Sequence, residues 1–189
     1  MAGEERRVLD SDGIARSLRR IAAEIEDQIG ASNQLGLVGI RKGGEPLAAR
    51  IADLIARSDG RSVPVGTVDI TLYRDDAASM LPDPEIGPSE IDFDIAGWDV
   101  VLVDDVLHTG RTVRAAIDCL LDFGRPRRIW LAALCDRGGR ELPVAPDFVG
   151  RKLEVSETDI VDVLVGQDGP DRVVVRSAGT PEPASGEGA

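Results

Sequence analysis

Two adjacent acids, Asp104 and Asp105, followed by Thr109, Gly110, Arg111 and Thr112, are the residues of this chain best placed for chemistry. They lie in "VVLVDDVLHTGRT", residues 100–112, behind an apolar approach. A Thr-Gly-Arg-Thr turn leading into a helix offers backbone N–H groups, two hydroxyls and the positive end of a helix dipole, which suit a phosphate monoester. Carboxylates do not bind phosphate, but they accept hydrogen bonds from a vicinal diol and hold the water shell of a divalent cation. Acids and turn together read as a grip on a ribose 5-phosphate. Neither GxxxxGK[ST] nor GxGxxG occurs, so neither a Walker loop nor a dinucleotide fingerprint accounts for the segment. The plainer alternative, a solvated turn with helix-capping acids, does not explain the apolar strand that delivers them.

The surrounding elements must aim these groups. Ser11 and Asp12 read as helix caps, followed by Ile14, Leu18, Ile21, Ile25 and Ile29 at helical spacing and a stop at Gly30. "LGLVGI" (35–40) reads as a buried strand, "RKGG" as a turn, and Pro46 stands in the first turn of a helix carrying Leu47, Ile51, Leu54 and Ile55. "VPVGTVDITLY" (63–73) predicts a second strand, and "RDDAASMLPDPEIGPSE" a polar excursion expected to be mobile. After the strand at 100–106 comes a helix with Val113, Ala116, Ile117, Leu120 and Leu121, ending near Gly124. "RIWLAALCD" (128–136), "FVGRKLEV" (148–155) and "DRVVVRS" (171–177) are further strands. Strands alternating with helices, several apolar on both faces, predict an α/β fold with a mostly parallel sheet flanked by helices. Ligands of such sheets bind beyond the carboxyl ends of the strands, where Asp104 and Asp105 fall.

Composition bounds the function. The 189 residues suit a single domain, expected over 1–177, with a disordered acidic tail at 178–189. Acidic residues outnumber basic ones 34 to 22, a net charge of −12 that opposes non-specific nucleic-acid binding. Cys119 and Cys135 lack metal-ligand spacing and read as buried thiols in a reducing cytosol. No run approaches a membrane span, and a cytoplasmic location is expected.

At this point a resemblance becomes specific. "VVLVDDVLHTGRT" resembles the phosphoribosyl pyrophosphate (PRPP) signature of the type I phosphoribosyltransferases. With "VGTVDITLYRDD", "RTVRAAID", "FGRPRRIWLAAL" and "DRGGRELP" the chain, from about Val8 to about Val175, resembles the PyrR family, bifunctional pyrimidine-operon regulators with uracil phosphoribosyltransferase activity. The resemblance implies a type I fold with a mobile hood or loop over the site, and Mg²⁺ held mainly by PRPP. It implies that Asp104 and Asp105 meet the ribose hydroxyls, with water-mediated contact to the metal, and that the 106–112 segment, Val106, Leu107, His108, Thr109, Gly110, Arg111 and Thr112, holds the rest of PRPP or the product UMP. Arg41, Lys42, Gly43 and Gly44 become the pyrophosphate loop, Arg74 a catalytic cation on the leaving group, and the backbone beside Asp136 and Arg137 the reader of uracil. A pyrimidine-operon mRNA leader is the implied macromolecular partner, met by Arg19, Arg140 and Arg151, and a homo-oligomer, dimer or tetramer, is expected.

The chain also departs from that pattern. Lys42 and Gly43 stand where many members carry Thr-Arg, and Ala23, Gly139 and Ala145 stand where RNA-binding members are commonly basic or His. His108, the only histidine, occupies a position that often holds Tyr or Phe in that family, and is not read as a general base. Two alternatives stay open: a purine-type phosphoribosyltransferase, and an RNA-binding regulator with vestigial transferase activity.

Overall fold

The structure is a computed structural model that describes residues 5–30, 34–71, 73, 87–166 and 169–177. Five strands pair in parallel: β2 (Leu35–Ile40), β3 (Val65–Val68), β4 (Asp99–Leu107), β5 (Arg128–Asp136) and β6 (Phe148–Lys152), in the spatial order β3-β2-β4-β5-β6. Alternation along β4 explains why its residues are apolar on both faces. Val101 and Val103 enter one core with Leu37, Ala132 and Leu134, while Val100 and Leu102 enter a second with Val38, Ile40 and Leu131. Helices α1 (Ser11–Ile29) and α2 (Gly44–Asp59) cover the first face, and α3 (Arg111–Leu121) covers the second.

From β2 the chain goes to β3 on one side and later returns to β4 on the other. The loops after β2 and β4 therefore leave neighbouring strand ends in diverging directions, which opens a crevice between them. That crevice receives the Arg41–Gly44 turn and the segment that follows Asp105.

Three expectations are corrected. Asp10, not Ser11 or Asp12, caps α1, its carboxylate accepting the Gly13 N–H at 2.8 Å, because Ser11 and Asp12 are already helical. The strand expected over 63–73 stops at Val68, since Asp69 turns its carboxylate onto the Thr71 N–H and hydroxyl. A second, antiparallel sheet, β1 (Glu5–Leu9), β8 (Arg172–Arg176) and β7 (Ile160–Leu164) in the order β1-β8-β7, was not expected beyond β8. β1 is mostly exposed and β7 only half-buried, so neither carries the apolar pattern that announces a strand. Residues 74–86 of the polar excursion, including Arg74, and the tail at 178–189 lie outside the described residues. Among the described residues no helix is long and apolar enough to cross a membrane.

Candidate active site

The site is built by two loops that touch. Gly43 and Gly44 open α2, and the space where side chains would stand there is already filled: a Cβ at Gly44 would overlap the Val103 carbonyl, and one at Gly43 the Asp105 carboxylate. The glycines let the Arg41–Gly44 turn lie directly on the end of β4. The glycine at position 43 is thus explained by the position of Asp105. The Arg41–Lys42 peptide is cis. Arg41 donates to the Pro88 carbonyl at 2.7 Å, and Lys42 is exposed.

The two acids differ in setting. Asp104 is buried and its Oδ1 accepts the Asp105 N–H at 3.0 Å, whereas Asp105 is half-buried and its Oδ1 accepts the Val106 N–H at 2.8 Å. One oxygen of each carboxylate is thereby held, which fixes the orientation of both.

The following turn is held from behind by residues 137–144. The Leu107 carbonyl accepts the Arg137 N–H at 3.1 Å, and the Thr109 carbonyl accepts the Glu141 and Leu142 N–H groups at 3.0 Å each. In a trans peptide the N–H points opposite to the preceding carbonyl, so the amides of His108 and Gly110 face the other way. That side is where an anion would sit, at the N-terminal end of α3. Gly110 enters α3 in the left-handed region, φ 92°, with Val144 and Leu142 against it. Arg111 Nε donates to Glu141 Oε2 at 2.7 Å and its backbone N–H to Thr109 Oγ1 at 3.3 Å, and Thr112 lies in the first turn of α3.

The residues expected to read the base lie beside this turn. Asp136 ends β5 and accepts the Gly138 N–H at 3.0 Å. The Arg137 guanidinium reaches away, to the carbonyls of Asp159 at 2.6 Å and Ser156 at 2.9 Å, which leaves backbone rather than its side chain toward the turn. His108 lies against Gly139. Burial, helped by the charges of Arg137 and Arg140 and opposed by Glu141 and Glu157, holds its imidazole below the ordinary histidine range. It is therefore neutral at pH 7. An unfolded chain takes up that proton below about pH 6.5 while the folded one resists, so stability falls as pH drops through this window. The urea midpoint is expected to decline between about pH 7 and pH 5.5 in the parent and less in His108→Gln, and equal declines would contradict this placement. Cys135 is fully buried and burial pushes its thiol up to about 12, which fits packing and not nucleophilic chemistry.

The neck of the excursion is tied at both ends. Asp69 accepts from Thr71 and, at 2.8 Å, from the Gly87 N–H. Burial alone would push its carboxyl up, but these bonds and Arg41 outweigh it and hold the carboxyl below the usual range. Tyr73 donates its hydroxyl to Asp122, which pushes the phenol up to about 12. The sequence offered no sign of the Asp69 neck or the Arg111–Glu141 pair, since both join residues far apart in the chain.

The three arginines expected to meet RNA line different features. Arg19 borders a groove between α1 and α2 with Arg50 and Arg57, while Arg151 lines a cavity with Arg6, Arg7 and Lys152. Arg140 is turned inward. Its Nη2 pairs with Asp136 at 2.7 Å, Nε donates to the Val144 carbonyl at 3.1 Å, and Nη1 to the carbonyls of His108 at 2.8 Å, Gly138 at 3.3 Å and Leu107 at 3.4 Å.

Comparison with known proteins places this geometry. The family model of the phosphoribosyl transferase domain matches residues 6–166. Bifunctional protein PyrR of Pelotomaculum thermopropionicum is 51% identical over 176 residues, 93% of this chain and 97% of that protein. Its namesakes from Chloroflexus aurantiacus and Thermus thermophilus are 51% identical as well, covering 92% and 88% of this chain and 96% and 92% of their own. Among solved structures, the hypoxanthine phosphoribosyltransferase of Trypanosoma cruzi superposes with a TM-score of 0.68 at 18% identity, covering 91% of this chain and 96% of that one. A hypoxanthine-guanine phosphoribosyltransferase of Bacillus anthracis superposes at 0.66 and 15% identity, covering 93% and 99%. The latter two share the fold, while the sequence relatives share the family: the chain belongs to the PyrR family of phosphoribosyltransferases.

Proposed function

We propose that this site transfers the phosphoribosyl group of PRPP to uracil, giving UMP and pyrophosphate, and that UMP in turn governs binding of a pyrimidine-operon mRNA leader. The observation that carries the transfer is the contact between the Arg41–Gly44 turn and Asp105, which sets a loop suited to pyrophosphate against carboxylates suited to ribose. Fixed by their backbone bonds, Asp104 and Asp105 meet the ribose hydroxyls and orient C1 of the sugar toward the base. The amides after Leu107, with Thr109 and Thr112, hold the 5-phosphate. The uracil ring nitrogen forms the new bond to C1 and loses its proton, and pyrophosphate leaves with the electrons of the broken C–O bond. Charge develops on that leaving group, so cations there lower the barrier, a role assigned to Lys42 and to Arg74.

The donor set fits Mg²⁺. Two carboxylates side by side at the end of β4, with the half-buried Asp105 against the Arg41–Gly44 turn, match an ion that retains water and relies on substrate phosphates. When bound, the ion neutralises the diphosphate and makes it a better leaving group. A cytoplasmic location, a homo-oligomer and a single functional unit over 1–177 belong to the same reading. Product identity tests the choice of base. With uracil and hypoxanthine competing for limiting PRPP, UMP is expected, and inosine monophosphate as the main product would overturn the reading.

The regulatory half is supported by a local concentration of charge. Arg6 and Arg7 from β1 and Arg151 and Lys152 from β6 line one cavity of about 500 Å³, with Glu154 as the one acid among its described lining residues. At physiological salt charges are screened over ~8 Å, so such a cluster acts on a polyanion despite the net −12 of the chain. Each phosphate contact contributes about −0.7 to −0.9 to the slope of log affinity against log salt. Replacing both Arg6 and Arg7 with Ala is expected to flatten that slope for the leader RNA by about 1.4–1.8 and leave transfer unchanged. An unchanged slope would place the RNA elsewhere, and absence of UMP-dependent binding at low salt would leave an enzyme alone.

A further inference from the structure

The geometry points to Arg140 as a positioning residue of the transfer site, one that locks the phosphate-binding turn and the base-reading loop into a single unit without touching substrate. This rests on the transfer reading, and it gives Arg140 a task other than contact with RNA.

Three features of its placement carry the inference. First, its bonds span both loops: His108 and Leu107 belong to the turn that holds phosphate, while Asp136, Gly138 and Val144 belong to the loop that reads the base. Second, its side chain is only 22% exposed and its partner Asp136 only 14%, so the pair sits largely inside the protein. A guanidinium so committed has little left to offer an external phosphate. Third, the carbonyls it holds determine where amides point. Holding the Leu107 and His108 carbonyls turns the His108 and Thr109 N–H groups to the opposite side, toward the anion. The Leu107 and Thr109 carbonyls also receive backbone N–H groups, whereas the His108 carbonyl receives its bond from Arg140. Without Arg140 the middle peptide of the turn would lose its charged donor, and the amide array would have to be ordered at the moment PRPP binds.

A lysine cannot replace it. A single ammonium can keep the charge pair with Asp136, but it lacks the planar fork that meets Val144, His108 and Asp136 in three directions. Charge and positioning are separable in this way.

The test is calorimetric binding of PRPP with Mg²⁺ to the full chain, which needs no base and no RNA, joined to steady-state kinetics. Arg140→Gln and Arg140→Lys are both expected to weaken PRPP binding about tenfold or more, raising KM for PRPP and for uracil further than they lower kcat. Lysine should restore the lost thermal stability but not the affinity. If both variants bind PRPP within about twofold of the parent, or if lysine restores affinity as well, the inference fails. Should the variants not fold, hydrogen exchange on the unaltered protein decides. PRPP alone should slow exchange at residues 137–144 together with 108–112, and protection confined to 108–112 would overturn the coupling. Failure of uracil transfer in the parent would instead refute the choice of base, leaving the PRPP measurement to stand by itself. A flattened salt slope for RNA in Arg140→Gln, with PRPP binding intact, would return Arg140 to the RNA surface.

Discussion

Gly44→Ala is expected to lower stability by about 3 kcal/mol or more, a fall of roughly 6–12 °C in thermal midpoint for a chain of this size. Alanine normally gains about 1 kcal/mol over glycine inside a helix, so helix propensity alone gives the opposite sign. The clash decides. A methyl group at this position would run into the Val103 carbonyl, and the next nearest atoms are also backbone, so no side chain can swing aside. Relief requires α2 to lift from the end of β4, which would part the two loops of the site. Gly43→Ala makes the informative contrast, because the atoms in its way are those of the Asp105 side chain. That carboxylate can move, at little cost to folding, but it then no longer meets the ribose. Thermal scans beside a transfer assay separate the two: Gly44→Ala loses stability, and Gly43→Ala loses turnover with a nearly unchanged midpoint. A Gly44→Ala protein more stable than the parent would show that the two loops do not touch as described.

Arg74→Ala is expected to reduce kcat by about 10²–10³-fold, the loss of one preorganised donor worth about 2.7–4 kcal/mol to a developing charge. The residue follows Tyr73, whose hydroxyl is fixed on Asp122, and it precedes a segment whose return at Gly87 is fixed on Asp69. The return end of the excursion is thus attached beside the β2 loop, where Arg41 meets Pro88, while Tyr73 is tied to Asp122 at the end of α3. Because leaving-group charge appears only as the bond breaks, kcat should fall more than KM rises. Turnover within about threefold of the parent would remove Arg74 from the mechanism.

Much of this was legible because the site lies on local patterns. The run from Val100 to Thr112 is a buried strand, a pair of acids and a helix start in direct succession, and each part declares itself by residue type. The parallel sheet followed from strands apolar on both faces. What escaped was non-local. The sheet formed by β1, β7 and β8 joins the two ends of the described chain, and of its strands only β8 is buried enough to show a pattern. Arg140 could be noticed in the sequence as a cation but not as a clamp, since its partners at 107, 108 and 144 come from two different loops. Gly43 and Gly44 likewise read only as a turn, whereas the structure gives them a steric reason that depends on Val103 and Asp105, far along the chain.

The crevice between β2 and β4 is proposed to transfer a phosphoribosyl group from metal-chelated PRPP to uracil. The most direct measurement is the initial rate of UMP formation from uracil and PRPP, taken with Mg²⁺ and again with chelator in excess, for the parent and for Asp105→Asn. Turnover is expected with Mg²⁺, none above background with chelator, and a marked loss in Asp105→Asn at full Mg²⁺. Robust UMP formation in the presence of chelator, or an Asp105→Asn protein as active as the parent, would contradict it.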